Sequence, residues 1–334
     1  MAATNPVAGI ATSYDLPQYL GDLFQKFEKP NALLRLIGGL TGGVSLVTTH
    51  KYAMGSDYTL PDANPAGKLE GAAANISEIG TEQSSNILQI FQEGVGLTYS
   101  AQGATGTMAG VIAIPGAATN GQIVNTRSIE WQRQRKIELI ARHANVAFLK
   151  GQYQEPANAG TPRQTRGIRT AITTHKFGNP AAAGTARPLT KAVVENALSS
   201  LVTDKVAELG SEVCALCDAT QYGALADLYV TPGSNAQVQL QPGAQVAGVG
   251  VRTVVTKWLT VHLVWEPDMN AGEILVAQPK MCRVRGMAIG NKGVFFSEPL
   301  AKTGSADTEQ LYGEFGMDYR DEIYHALITD LATS

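Results

Sequence analysis

Cys214 and Cys217 form a CxxC, the spacing at which two thiolates can make half of a zinc site. Two more ligands would be needed, and only Cys282 or a lone histidine is available. The run Val213 to Cys217 reads as a strand, where residues three apart point to opposite faces. The cysteines are therefore read as buried free thiols. The histidines His50, His143, His175, His262 and His325 make no HxxxH or HExxH arrangement. Gly248 and Gly250 give a GxG, but Thr253 stands where a dinucleotide fingerprint wants its third glycine. That stretch also opens a strand, where the fingerprint opens a helix. No GxSxG, Walker pattern or DxDxDG loop occurs. The sequence offers no catalytic residue, metal ligand or cofactor site, and it is not read as an enzyme.

What remains is electrostatic. Residues 122–176 hold ten Lys or Arg against three Asp or Glu, a local +7 in a chain of net charge −3. The remainder therefore carries −10, and residues 297–334 alone hold eight acids against two bases. Arg127, Arg133, Arg135, Lys136 and Arg142 are the candidates for a surface held near a polyanion, with Arg163, Arg166 and Arg169 following. Such attraction is independent of sequence and sensitive to salt. Trp131 is the one aromatic interleaved with these bases, so base stacking is not expected.

The element that must carry the first five is the stretch Gln122 to Lys150, which contains no Pro and no Gly. Ile137, Ile140, Ala141, Ala144, Ala147 and Phe148 recur at helical spacing. Thr126 or Ser128 could cap it, Glu138 and Arg142 sit four apart, and Gly151 follows where a left-handed residue is wanted. Its 29 residues would span roughly 43 Å. Ahead of it, Met1 to Tyr14 reads as an arm. Leu16, Leu20, Leu23, Phe24 and Phe27 suggest a short amphipathic helix, and Asn31 to Ile37 another helical turn ended by Gly38 and Gly39. Val44 to Tyr52 and Asn86 to Ser100 read as strands, separated by a stretch poor in large apolar residues. A connection this long cannot build its own core. An ordered excursion of this composition is expected to lie on a neighbouring subunit.

Beyond the helix, Gln152 to Thr165 reads as a loop and Gly167 to Ala171 opens a new unit. Thr190 to Leu209 is a second helix, and Tyr222 to Tyr229 a third. Strand patterns cover Val213 to Cys217, Val249 to Val255, Trp258 to Glu266, Glu273 to Gln278 and Cys282 to Ile289. Leu311 to Leu331 is extended or mixed. Helices and strands are interleaved without regular alternation, which points to an α+β fold. Three cysteines make no disulfide framework. The Met1 end shows no signal-peptide pattern and no run can span a bilayer, so a soluble product of a reducing cytoplasm is expected.

Three stretches resemble the major capsid proteins of tailed phages with the Hong Kong 97 fold, and among them a compact branch of about this length. They are NILQIFQEGVGLTYSAQG (Asn86 to Gly103), RQRKIELIARHANVAFLKG (Arg133 to Gly151) and VRTVVTKWLTVHLVWEPDMNAGEILVAQPKMCRVRGM (Val251 to Met287). The resemblance covers most of the chain from about Asn31 onward. It implies an N-terminal arm over 1–40 and an extended loop over 41–121. The spine helix and peripheral domain would follow over 122–175, an axial domain over about 176–285, and a return to the peripheral domain over 286–334. It implies a structural subunit that self-assembles as hexamers and pentamers into the icosahedral head of a virion, enclosing double-stranded DNA held non-specifically. The inner face would carry the candidate residues Arg127, Arg133, Arg135, Lys136 and Arg142. Scaffolding, portal and decoration proteins are the further candidate partners; no membrane and no cofactor is implied. The alternative on the same fold is an encapsulin-type compartment with enzyme cargo. About forty residues precede the extended loop, so a long scaffolding segment that is cleaved away is not expected. Lys51 and Lys68 are available in the loop, but no Asn and Glu partner is identified, and a cross-link is not predicted.

Overall fold

A computed structural model describes residues 31–40, 43–58, 60, 67–71, 73, 78–103, 128–158, 160–230, 245–246, 249–250, 252–302 and 304–333. The expected arm and the amphipathic helix from Leu16 to Phe27 lie outside the described residues. The chain divides into two compact units. The described part of the first is residues 91–103, 128–142, 295–302 and 304–313; the second holds the others.

The second unit is built on a six-stranded mixed sheet. Its strands are β5 (Lys176–Phe177), β6 (Glu212–Cys217), β9 (Arg252–Val255), β10 (Thr260–Trp265), β11 (Ile274–Ala277) and β15 (Ala326–Ile328), in the order β5-β15-β11-β6-β10-β9. β6 lies at the centre, parallel to β10 and antiparallel to β11. Every residue of β6 after Glu212 is buried, so both faces of this strand are covered. A strand covered on both sides reads as an unbroken apolar run, which is what VCALC is. Helix α5 (Lys191–Thr203) supplies Val194, Ala197, Leu198 and Leu201 to the core, at the expected spacing. Helix α6 (Ala219–Val230) adds Leu225, Ala226 and Tyr229. α5 stops earlier than the pattern to Leu209 suggests, because Lys205 turns to φ 60.

The short helix α1 (Ala32–Leu36) ends as expected, with Gly38 at φ 100 and Gly39 at φ 74. The Gly39 N–H reaches back to the Leu34 carbonyl at 2.9 Å. Its start is tied down by side chains. Glu266, fully buried, accepts from the Leu33 N–H at 3.0 Å and from the Asn145 amide at 3.2 Å. Asn145 accepts in turn from the Leu34 N–H at 3.0 Å. Burial pushes the Glu266 carboxyl up, and these donors oppose the rise.

Helix α3 runs Ile129–Lys150, capped by the Ser128 hydroxyl, which accepts from the Trp131 N–H at 3.2 Å. At 22 residues it spans about 33 Å. Gly151 is not left-handed, contrary to expectation. It is glycine because of crowding. A Cβ there would lie 2.4 Å from the carbonyl oxygens of Ala147 and Thr165. Gly167 is its counterpart, where a Cβ would meet the Gly151 nitrogen at 2.6 Å. The Gly167 N–H donates to the Gly151 carbonyl at 2.9 Å, so the two backbones touch directly.

In the first unit, β13 (Phe295–Pro299) and β14 (Ala306–Asp318) pair antiparallel, Phe295 opposite Gly313 and Pro299 opposite Glu309. β4 (Gln89–Thr98) also pairs with β14. Within the second unit the end of β14 pairs with β12 (Arg283–Met287), and β1 (Ser45–Val47) lies parallel to β12. No described helix is long and apolar enough to cross a membrane.

Candidate assembly interface and basic helix

The excursion between β1 and β4 is a two-stranded antiparallel ribbon. β2 (Lys51–Tyr58) pairs with β3 (Thr81–Ile87), from Lys51 opposite Ile87 to Tyr58 opposite Thr81, with an irregularity between Ala53 and Ser56. The returning strand begins at Thr81, earlier than the expected Asn86. Its first residues, TEQSS, are polar on both faces and carry no alternation to read. The root of the ribbon is firmly held. Tyr52 and Met54 are buried, and the Tyr52 hydroxyl donates to the Met317 carbonyl at 2.9 Å. Asn86 is fully buried and donates to the carbonyls of Met317 at 2.8 Å and Arg166 at 3.1 Å. Its side-chain oxygen accepts from the Arg166 N–H at 2.9 Å.

Past Met54 the burial ends. Every described residue from 55 to 85 is half-buried or exposed. Tyr58 is 65% exposed, Leu60 62%, Leu69 85% and Ile79 47%. An isolated two-stranded ribbon is marginal in water. Fully burying one such side chain is worth about 1.5–3 kcal/mol, so this ribbon carries apolar surface that the described residues leave uncovered.

The basic residues of α3 have found partners within the first unit. Arg133 grips Glu309 through two hydrogen bonds, 2.8 and 2.7 Å, and holds that carboxyl below its usual range. Lys136 meets Glu93 at 2.8 Å. Arg135 pairs with Glu138 at 3.0 Å and lies over the Trp131 ring. The expected pairing of Glu138 with Arg142 is therefore replaced by one with Arg135, a turn away in the other direction. Arg142 is half-buried and makes no ion pair among the described residues. Arg127 lies outside them. Further along the basic segment, and within the second unit, Arg163 pairs with Glu314 at 3.0 Å and Arg169 with Glu273. Much of the charge segregated along the sequence is thus neutralised in space. The partners Glu309 and Glu314 lie among the eight acids after Ser297, so the two charge blocks meet at these two pairs.

Cys214, Cys217 and Cys282 are buried free thiols. Burial pushes the thiols of Cys214 and Cys217 up to about 12, which leaves them protonated and unreactive. Lys51, one of the two loop lysines, is engaged with Glu155 at 2.9 Å, and Tyr153 donates to the same carboxylate.

Comparison with known proteins places this architecture. The cyanophage A-1(L) capsid asymmetric unit superposes with a TM-score of 0.65 at 13% identity, covering 93% of this chain and 95% of that one. The holo-SrpI encapsulin complex from Synechococcus elongatus PCC 7942 gives 0.60 at 8% identity, covering 98% and 96%. The Mycobacterium phage Che8 chain gives 0.54 at 11% identity, covering 94% and 97%. At these identities the likeness is one of fold, and it is shared by capsids and an encapsulin alike. Among curated proteins no sequence matches. The sequence itself matches the family described as SU10 major capsid protein over residues 6–332, nearly the whole chain. The chain has the Hong Kong 97 fold of tailed-phage capsids and belongs to the SU10 major capsid protein family.

Proposed function

We propose that many copies of this chain close into the icosahedral head of a virion, as hexamers and pentamers around double-stranded DNA, after assembly in the host cytoplasm. Heterologous contacts that close into rings produce such capsomers. The observation that carries this reading is the ribbon. Its described residues from 55 to 85 have no core of their own, yet they expose Tyr58, Leu60, Leu69 and Ile79. A neighbouring copy supplies the missing cover. In this reading residues 41–121 act as the extended loop, α3 as the spine, and residues 176–285 as the axial domain, whose sheet also takes in β15 from the segment expected to return to the peripheral domain. The chain's role is structural and not enzymatic.

Contact with DNA is weak and without base readout. Arg133, Arg135 and Lys136 contribute less than their charges suggest, because each already holds a carboxylate. Arg142 is the described inner-face candidate that makes no ion pair with another described residue, and Arg127 lies outside the described residues. The encapsulin-type alternative is supported by the fold likeness alone, at 8% identity.

Negative-stain microscopy of the purified protein, with ultraviolet absorbance for nucleic acid, tests the proposal. Closed particles that carry DNA when formed in infected cells are expected. Particles that retain a protein cargo and exclude DNA would favour the compartment reading, and a monodisperse monomer would overturn both.

A further inference from the structure

We propose that Arg320 is a positioning residue for the ribbon: clasped on Asp57, it sets the angle at which β2 and β3 leave their root, and through it the geometry of the shell. The inference rests on the shell reading above. Three observations converge on one point of the ribbon, just beyond its buried root. First, Asp57 on β2 accepts from Arg320 Nε at 2.9 Å and from the Tyr324 hydroxyl at 3.1 Å, while the Ser84 hydroxyl on β3 donates to the Arg320 carbonyl at 3.3 Å. Both strands are therefore held by one residue of the following segment. Second, Arg320 sits at φ 60, where side chains other than glycine rarely go. The turn is kept in place by Asp318, which accepts from the Arg320 N–H at 2.9 Å. Third, the Arg320 side chain crosses directly over Gly55, where an added Cβ would come within 2.9 Å of its Cγ. Gly55 lies in the register irregularity between Ala53 and Ser56, the place where a ribbon bends and twists. The clasp thus spans the ribbon's natural hinge.

A half-exposed ion pair contributes little to overall stability. Arg320 is 40% exposed and Asp57 19%, so fold stability is a poor reason for a strained backbone here. Fixing a direction is a better one, because a small change of angle at the hinge moves the ribbon's exposed residues far across any neighbour.

The test uses the full chain kept below its assembly concentration, with spin labels at Leu69→Cys and Lys176→Cys; the native cysteines are buried. Arg320→Gly suits the left-handed turn and removes only the side chain. Asp57→Asn removes the charge from the ribbon side and guards against a folding defect at the turn. Each variant should broaden the label-to-label distance distribution by about twofold, as the freed bulge flexes. Gly55→Ala should broaden it alone and add nothing in the Arg320→Gly background, a non-additivity that a general loss of stability would not give. Unchanged widths in both single variants overturn the clasp. Particle assembly by the wild-type chain is scored separately, so a failure of the shell reading stays distinguishable. If shells form, those from Arg320→Gly should lose their uniform diameter, and shells of wild-type diameter at wild-type yield would also overturn the proposal.

Discussion

The six-stranded sheet and the ribbon are both antiparallel over much of their length, yet they meet the same requirement in opposite ways. The central strand of the sheet finds cover on both faces within its own chain, Val213 and Leu216 being fully buried. The ribbon keeps only its root covered and sends Leu69 out at 85% exposure. A strand's polar backbone is satisfied in either place. What differs is whether its apolar side chains find cover among the described residues, which those of β6 do and those of the ribbon beyond Met54 do not.

The sharpest way to break this contrast is to truncate both sides of it. Leu216→Ala should destabilise the unassembled subunit by about 2–5 kcal/mol, the cost of a cavity at a fully buried site. Leu69→Ala should leave its melting temperature unchanged while lowering the yield of closed particles. Equal effects of the two on the melting temperature would erase the distinction. A second test concerns backbone contact. Gly167→Ala places a Cβ 2.7 Å from the Leu149 carbonyl carbon and should cost about 1–3 kcal/mol by chemical denaturation.

A third prediction uses His325, buried in the second unit. Its Nδ1 accepts from the Gln278 N–H at 3.2 Å and its Nε2 donates to the Tyr319 carbonyl at 3.0 Å, a neutral ring with a fixed tautomer. Burial lowers its pKa from 6.5 to about 4. Between those values the unfolded chain binds a proton that the folded chain refuses. Stability should therefore be unaffected above pH 6.5 and fall by about 1.4 kcal/mol per unit as pH drops toward 4. Thermal melts across that range check the slope, which His325→Gln should flatten. The smallest effect is expected from Arg142→Ala. It should leave stability nearly unchanged and slightly weaken the salt-sensitive retention of DNA by particles. A large loss of DNA would mean that the wall's charge is less fully compensated than the pairs on α3 suggest.

Much of the fold was legible because it is local. The inner side of α5 and the Gly38–Gly39 stop follow from spacing and turn chemistry alone, and so does part of the α3 stripe: Ile140, Ala144 and Phe148 are buried, but Ile137 is 39% exposed and Leu149, outside the stripe, is fully buried. What was hidden is mostly non-local. Arg133 and Glu309 are 176 positions apart, so the sequence displays two charge blocks without showing that they meet. Gly151 was misread because a helix-ending glycine is commonly left-handed, and only the approach of Thr165 and Gly167 reveals crowding as its reason. β13 went unread because Phe295 and Phe296 are adjacent and break the alternation, between Gly293 and Pro299. That the ribbon beyond its root builds no core of its own was legible from composition, since the stretch is poor in large apolar residues. Its anchoring by Tyr52, Asn86 and Arg320 was not.

The most direct measurement is a structure of the assembled particle, read for what covers Tyr58, Leu60, Leu69 and Ile79. The account predicts that a second copy of the chain buries most of their exposed surface. Finding these four side chains open to solvent in a closed shell, or folded against their own subunit, would contradict it.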